Sequence, residues 1–94
     1  MTRYLTLLRF TQQGARAMKK SPGRAADFTK TCRKAGVTVE TQFWTAGSYD
    51  GVLILSGDNE AKVLNVIATL ASLGNVQSES LRAFDAKEFG AIVR

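Results

Sequence analysis

Few side chains in this 94-residue sequence have the chemistry for catalysis or specific binding. The densest group lies in "TAGSYDGVLIL", residues 45–55, where a Gly47–Ser48 turn leads into Tyr49 and Asp50 and an apolar run follows. A phenol beside a carboxylate offers a hydrogen-bond donor together with a base or an anchor for an amine. Trp44, just upstream, offers an aromatic face. Arg9 and Arg82 supply guanidinium groups, and pairing of the first and last strands would let them share a bound carboxylate. Glu79 is the other acid placed to move a proton. Cys32 is the single cysteine; Arg33 and Lys34 beside it would lower a thiol pKa, while its place on an apolar helix face favours plain packing.

The missing residue types exclude more than the present ones suggest. There is no histidine, which removes imidazole-based zinc sites, the usual haem ligand and every dyad or triad built on a histidine base. One cysteine and scattered carboxylates form no metal-ligand cluster, and no glycine-rich phosphate loop is present. No metal and no cofactor are therefore expected.

Aspartate is among the residues that strands least favour, so Asp50 at the mouth of a buried strand must be satisfied. The ordinary solution is for its carboxylate to accept hydrogen bonds from backbone N–H groups of the 46–48 turn. The functional alternative puts it at the rim of a cavity, as a base or an amine anchor. Consecutive strand residues point to opposite faces, so Tyr49 and Asp50 do not enter one pocket, and Tyr49 is expected at a subunit contact. Trp44 reads as an interface or core aromatic, Gly74 and Asn75 as a helix stop and its turn, and Arg9 and Arg82 by default as solvated or salt-bridged.

The elements that must position these residues follow from periodicity. "RYLTLLRF" (3–10) is a strand apolar on both faces, with Leu5 and Leu7 opposite Tyr4, Leu8 and Phe10. "TQQGARAMKK" (11–20) is a short helix or turn capped by Thr11 and weakened by Gly14. A firmer helix runs from Ser21 as N-cap through Pro22 to Gly36, with Ala25, Phe28, Cys32 and Ala35 on one face. "VTVETQFWTA" (37–46) alternates, placing Val37, Val39, Thr41 and Phe43 on one side and Glu40, Gln42 and Trp44 on the other. "YDGVLILSG" (49–57) is a second two-faced apolar strand. A helix over 58–74 is capped by Asp58, with Leu64, Ile67 and Ala71 as its stripe, widened by Val63, Val66 and Leu70. A polar strand (75–84) and a short helix (85–93) capped by Asp85 complete the chain.

Strand, helix, strand, strand, helix, strand is the ferredoxin-like order of an α+β fold with a four-stranded antiparallel sheet. Its first and third strands are central, and these are the two that are apolar on both faces. One domain, 1–94, accounts for the whole length. Two helices cover one face of such a sheet. The other face keeps apolar side chains, which points to a homodimer of stacked sheets, a dimeric α/β barrel, or a higher homo-oligomer.

The net charge of +5 is uneven: nine Lys/Arg against Asp27 alone in residues 1–36, then four against seven acids. Without interleaved aromatics the basic helix is a solvated face, one that could match an acidic surface on a neighbouring subunit, rather than a nucleic-acid site. The lone thiol, the absence of a signal-like N-terminus and the absence of any membrane-spanning run make cytoplasmic the expected location.

Gly47, Tyr49 and Asp50 resemble the glycine, tyrosine and aspartate that name the GYD-domain family. "SLGNVQSESLRAF" (72–84) is similar to that family's glycine-asparagine-valine turn and last strand, and Ser21–Pro22 sits where its long helix begins. The resemblance covers essentially the whole chain and implies a ferredoxin-like fold in a dimeric α/β barrel, without implying an activity. The same element order and a glycine-x-tyrosine-aspartate turn are similar to the effector-binding domain of Lrp/AsnC regulators, whose corresponding region lies near a subunit interface that binds amino acids. The DNA-binding helix-turn-helix of those regulators is absent here. The leading functional expectation is a non-catalytic oligomeric module for small-molecule binding or assembly. The alternatives are a cofactor-free monooxygenase or isomerase acting on a small ring compound, as in related dimeric barrels, with Asp50, Tyr49 or Glu79 moving protons, and nucleic-acid binding by the basic half.

Overall fold

The computed structural model describes residues 1–94. Strand β1 spans Thr2–Phe10, followed by α1 (Gln12–Arg16), a 3-10 turn (Met18–Lys20) and α2 (Ser21–Lys34). Strands β2 (Val37–Trp44) and β3 (Gly51–Gly57) form a hairpin. Helix α3 (Glu60–Ser72), strand β4 (Val76–Ala83) and helix α4 (Ala86–Ile92) complete the chain. The sheet is antiparallel with order β2-β3-β1-β4, so the two doubly apolar strands are central, and α2 and α3 cover one face in a ferredoxin-like α+β fold.

Between the helices and the sheet lies the core: Tyr4, Phe28, Cys32, Val37, Leu53, Leu55, Val63, Val66 and Ile67. Leu55, Val63 and Cys32 are fully buried. That burial pushes the Cys32 thiol up to about 11, so Arg33 and Lys34 do not activate it; desolvation of a thiolate outweighs two solvated charges. Tyr4, Thr6 and Leu8 on β1 also face the helices, and Thr6 Oγ1 and Ser80 Oγ satisfy each other at 3.1 Å.

Three local features differ from the sequence expectation. The α3 stripe is centred on Val63, Val66 and Ile67, leaving Leu64 exposed, and its cap is Asn59, whose side chain accepts the Lys62 N–H at 2.9 Å, rather than Asp58. Ser21 is the first helical residue instead of the N-cap, because the 3-10 turn runs directly into α2. Most consequential is a β-bulge. Val39 pairs with Leu55 but Thr41 with Ile54, so Glu40 is an extra residue that reverses the alternation. Thr41 and Phe43 therefore share the uncovered face with Ile54 and Val52, while Gln42 and Trp44 turn toward the helices.

The uncovered face carries Leu5 and Leu7 from β1, Val52 and Ile54 from β3, Phe43 from β2 and Leu81 from β4. Phe43 is 62% exposed and Leu81 45%. Arg3 rims this face, bridging Glu40 at 3.0 Å and Glu88 of α4 at 3.5 Å. Helix α4 has a full capping box between Asp85 and Glu88 but no buried residue, and Phe89, Ile92 and Val93 stay exposed.

Candidate functional site

The 45–50 segment is a closed turn held by its own backbone. Thr45 N–H donates to the Asp50 carbonyl at 2.9 Å and Thr45 Oγ1 to the Tyr49 carbonyl at 2.6 Å. Gly47 sits at φ 146°, a conformation that a Cβ would strain. Asp50 N–H donates to the Leu8 carbonyl at 2.7 Å, although Leu8 is the register partner of Gly51, so the regular β1–β3 ladder breaks at Asp50.

Asp50 and Tyr49 diverge, but not through strand alternation: both precede β3, and Asp50 borders the helix-side crevice together with its neighbour Gly51. The Asp50 carboxylate turns to the helix side, where Oδ2 accepts the Phe10 N–H at 2.9 Å. The turn amides at 46–48 are not its donors; the last amide of β1, 40 residues away in sequence, takes that role. Here the carboxylate lines a crevice bounded by β1, β2, α2, α3 and the start of β4. The crevice has a cavity volume of about 70 Å³ behind an open mouth. Trp44 lines the same crevice, half exposed, and its Nε1 donates to Ser21 Oγ at 2.9 Å, tying the end of β2 to the start of α2.

Tyr49 lies on the opposite side of the sheet. Its hydroxyl donates to Glu79 Oε1 at 3.2 Å, and the Arg9 guanidinium stacks 4.3 Å from its ring centroid. Arg9 Nε also donates to the Ser48 carbonyl at 2.9 Å. Loop, β1 and β4 are thereby joined by a polar cluster at one corner of the uncovered face, around a shallow hollow lined also by Leu7 and Gln77.

Arg9 and Arg82 are not brought together. Register pairs Arg9 with Gln77 and Arg82 with Tyr4. The two arginines therefore lie on opposite faces, and no shared carboxylate site exists. Arg82 stacks over Phe84, 4.6 Å from the ring centroid, and donates to the Arg3 and Ala83 carbonyls. Gly74, at φ 78°, ends the α3 segment, and the Asn75 carbonyl accepts the Thr11 N–H at 3.1 Å.

Sequence reasoning missed Arg24, which borders the crevice and donates to the Ala17 carbonyl at 2.9 Å and the Gly14 carbonyl at 3.4 Å. Its signal was available: Arg24 stands one helical turn before Phe28 on the face that α2 buries. Phe10, Leu70 and Leu73 also border the crevice.

The single hydrogen bond to Asp50 gives a sharp stability expectation. Asp50→Asn keeps an acceptor for Phe10 N–H and should shift stability by less than about 0.5 kcal/mol, whereas Asp50→Ala leaves that donor unpaired and should cost about 1–3 kcal/mol. Urea melts of the two variants separate these outcomes; equal costs would show that the Phe10 contact is not what the carboxylate provides.

Comparison with known proteins places these features in context. The family model described as the GYD domain matches residues 4–93. A Thermus thermophilus protein named glutamine synthetase and cystathionine beta-lyase binding protein is 31% identical over 84 residues, which is 88% of this chain and 88% of that protein. The crystal structure of TTHA0845, also from Thermus thermophilus, superposes with a TM-score of 0.59 over 92% of this chain and 96% of that one. At 20% identity that likeness speaks to the fold.

Proposed function

Because the chain belongs to the GYD-domain family, we propose that it works as a non-catalytic, homo-oligomeric binding module whose partners are proteins. The carrying observation is the uncovered sheet face. Leu5, Leu7, Val52, Ile54, Phe43 and Leu81 form its apolar centre, and Arg3, Glu40, Arg9 and Glu79 rim it. An apolar centre inside a polar rim is the anatomy of a protein interface. The occupant proposed is the same face of a second copy, giving two stacked sheets. Burial there contributes about 25 cal/mol per Å² of apolar area. The Arg9–Tyr49–Glu79 cluster then lies at the edge of the contact, where paired charges fix register more than they add affinity.

Stacking the sheets turns the helices outward. Helix α2 and the turn before it then present Lys19, Lys20, Lys30, Arg33 and Lys34, all exposed, as a basic outer surface suited to an acidic partner. The relative's name supports protein partners, and glutamine synthetase and cystathionine beta-lyase are the first to test. The purified wild-type chain should scatter light as a dimer or larger at micromolar concentration. It should also co-elute with one of those enzymes in gel filtration, with complex formation weakening as salt rises. A stable monomer would overturn the sheet-stacking reading; a dimer that retards neither enzyme would overturn the choice of partner.

A further inference from the structure

We propose that the crevice between the sheet and helices α2 and α3 is a small-molecule site, specific for an amphipathic amine: an apolar, preferably aromatic body with a protonated amino head held by Asp50. The proposal does not rest on the protein-docking reading, because the crevice is lined within one chain and shares only Phe43 and Val52 with the uncovered sheet face.

The body of the ligand is specified by the walls. Phe10, Phe28, Trp44, Leu70 and Leu73 surround the space, with the buried Leu53 at its floor. Pockets of this kind, mostly apolar with a few converging polar groups, are the usual form of small-molecule sites. Gly51 lies beside Asp50, where a Cβ would crowd the Phe43 carbonyl oxygen at 3.2 Å and Leu8 Cδ1 at 3.7 Å.

The head is specified by acceptor capacity that no other group of the protein uses. A carboxylate offers about four acceptor sites. Asp50 is half-buried, yet it accepts one hydrogen bond, from Phe10 N–H, and no lysine or arginine forms a salt bridge with it. Arg24, the cation bordering the same space, is turned to the Ala17 and Gly14 carbonyls. Asp50 is thus an anion without a counter-ion at the edge of an apolar space, and a charge-assisted hydrogen bond from an ammonium group would complete it. An anionic ligand would meet repulsion from Asp50, and a neutral one would leave the carboxylate as it is.

Trp44 is the only tryptophan, so its fluorescence reports occupancy directly. The probes are 2-phenylethylamine and its counterparts 2-phenylethanol and 3-phenylpropionate. The expected result is saturable quenching or shift by the amine, with the alcohol and the acid weaker by about tenfold or more, the worth of one hydrogen bond to a charged group. Asp50→Asn should bring the amine down to the level of the alcohol with an unchanged melting temperature. Ala25→Trp, which fills the crevice from α2, should abolish binding of all three by amide chemical-shift mapping. A preference for the acid, amine binding unaltered by Asp50→Asn, or no saturation by the amine below about 10 mM would each overturn the assignment.

Discussion

Gly14→Ala is expected to lower the melting temperature by about 10 °C or more, although alanine is the better helix former by about 1 kcal/mol. The reason lies outside the helix. Gly14 is buried, and a Cβ on it would fall 2.0 Å from the Asn75 carbonyl oxygen and 2.9 Å from its carbon, both main-chain atoms. That carbonyl accepts the Thr11 N–H, while Thr11 Oγ1 donates to the Gly74 carbonyl at 2.6 Å and accepts the Gly14 N–H at 3.1 Å. The Gln13 side-chain amide reaches the Leu73 carbonyl and Asn75 Oδ1. Helix α1 is thus bolted to the turn between α3 and β4, and a methyl group must pry the two apart. Overpacking costs about 1–3 kcal/mol, and each hydrogen bond lost costs about 1 more. Gly23, in α2, is the internal control: a Cβ there meets nothing within 4 Å, so Gly23→Ala should be neutral or stabilise by up to about 1 kcal/mol. Melts should show a large fall for Gly14→Ala and none for Gly23→Ala; a neutral Gly14→Ala would show that the α1 contact is loose.

The second large effect concerns assembly. Ile54→Lys should convert the protein to a folded monomer, read by light scattering and by circular dichroism of the same sample. Ile54 is at the centre of the uncovered face, between Leu5 on β1 and Thr41 on β2. In the isolated chain a lysine there keeps its ammonium in water by extending along the apolar surface, so the fold survives. In a stacked pair of sheets two ammonium groups would meet across a dry contact, each unpaired, at a cost of several kcal/mol. Ala68→Lys, on the exposed side of α3, should leave the oligomer intact. A dimeric Ile54→Lys protein would place the contact elsewhere, with the exposed Phe89, Ile92 and Val93 of α4 as the next surface to mutate. The monomeric variant should still bind 2-phenylethylamine, because the crevice is complete within one chain.

Much of the architecture is legible in the sequence because it is local. Alternation and helical spacing are properties of a few consecutive residues. They place β1 and β3 at the sheet centre and put Phe28 and Cys32 on the buried side of α2. What depends on how segments meet is not written locally. An extra residue at Glu40 leaves ordinary alternation on either side of it, and only the register against β3 reveals that Thr41 through Trp44 have exchanged faces. Trp44 enters the crevice for that reason alone. Arg9 and Arg82 are on strands that do pair, but whether they share a face depends on register, which sets them an odd number of positions apart. Asp50 needed an acceptor role, as its residue type demands, yet its partner Phe10 is remote in sequence, and no turn rule could name it. Gly14, which looks like a weak point in a helix when read along the chain, is instead the place where two backbones touch. Sequence by itself determined which groups must be buried, paired or turned aside; the tertiary structure decided against what, because a side chain's partner is set by the pairing of distant segments and not by its neighbours.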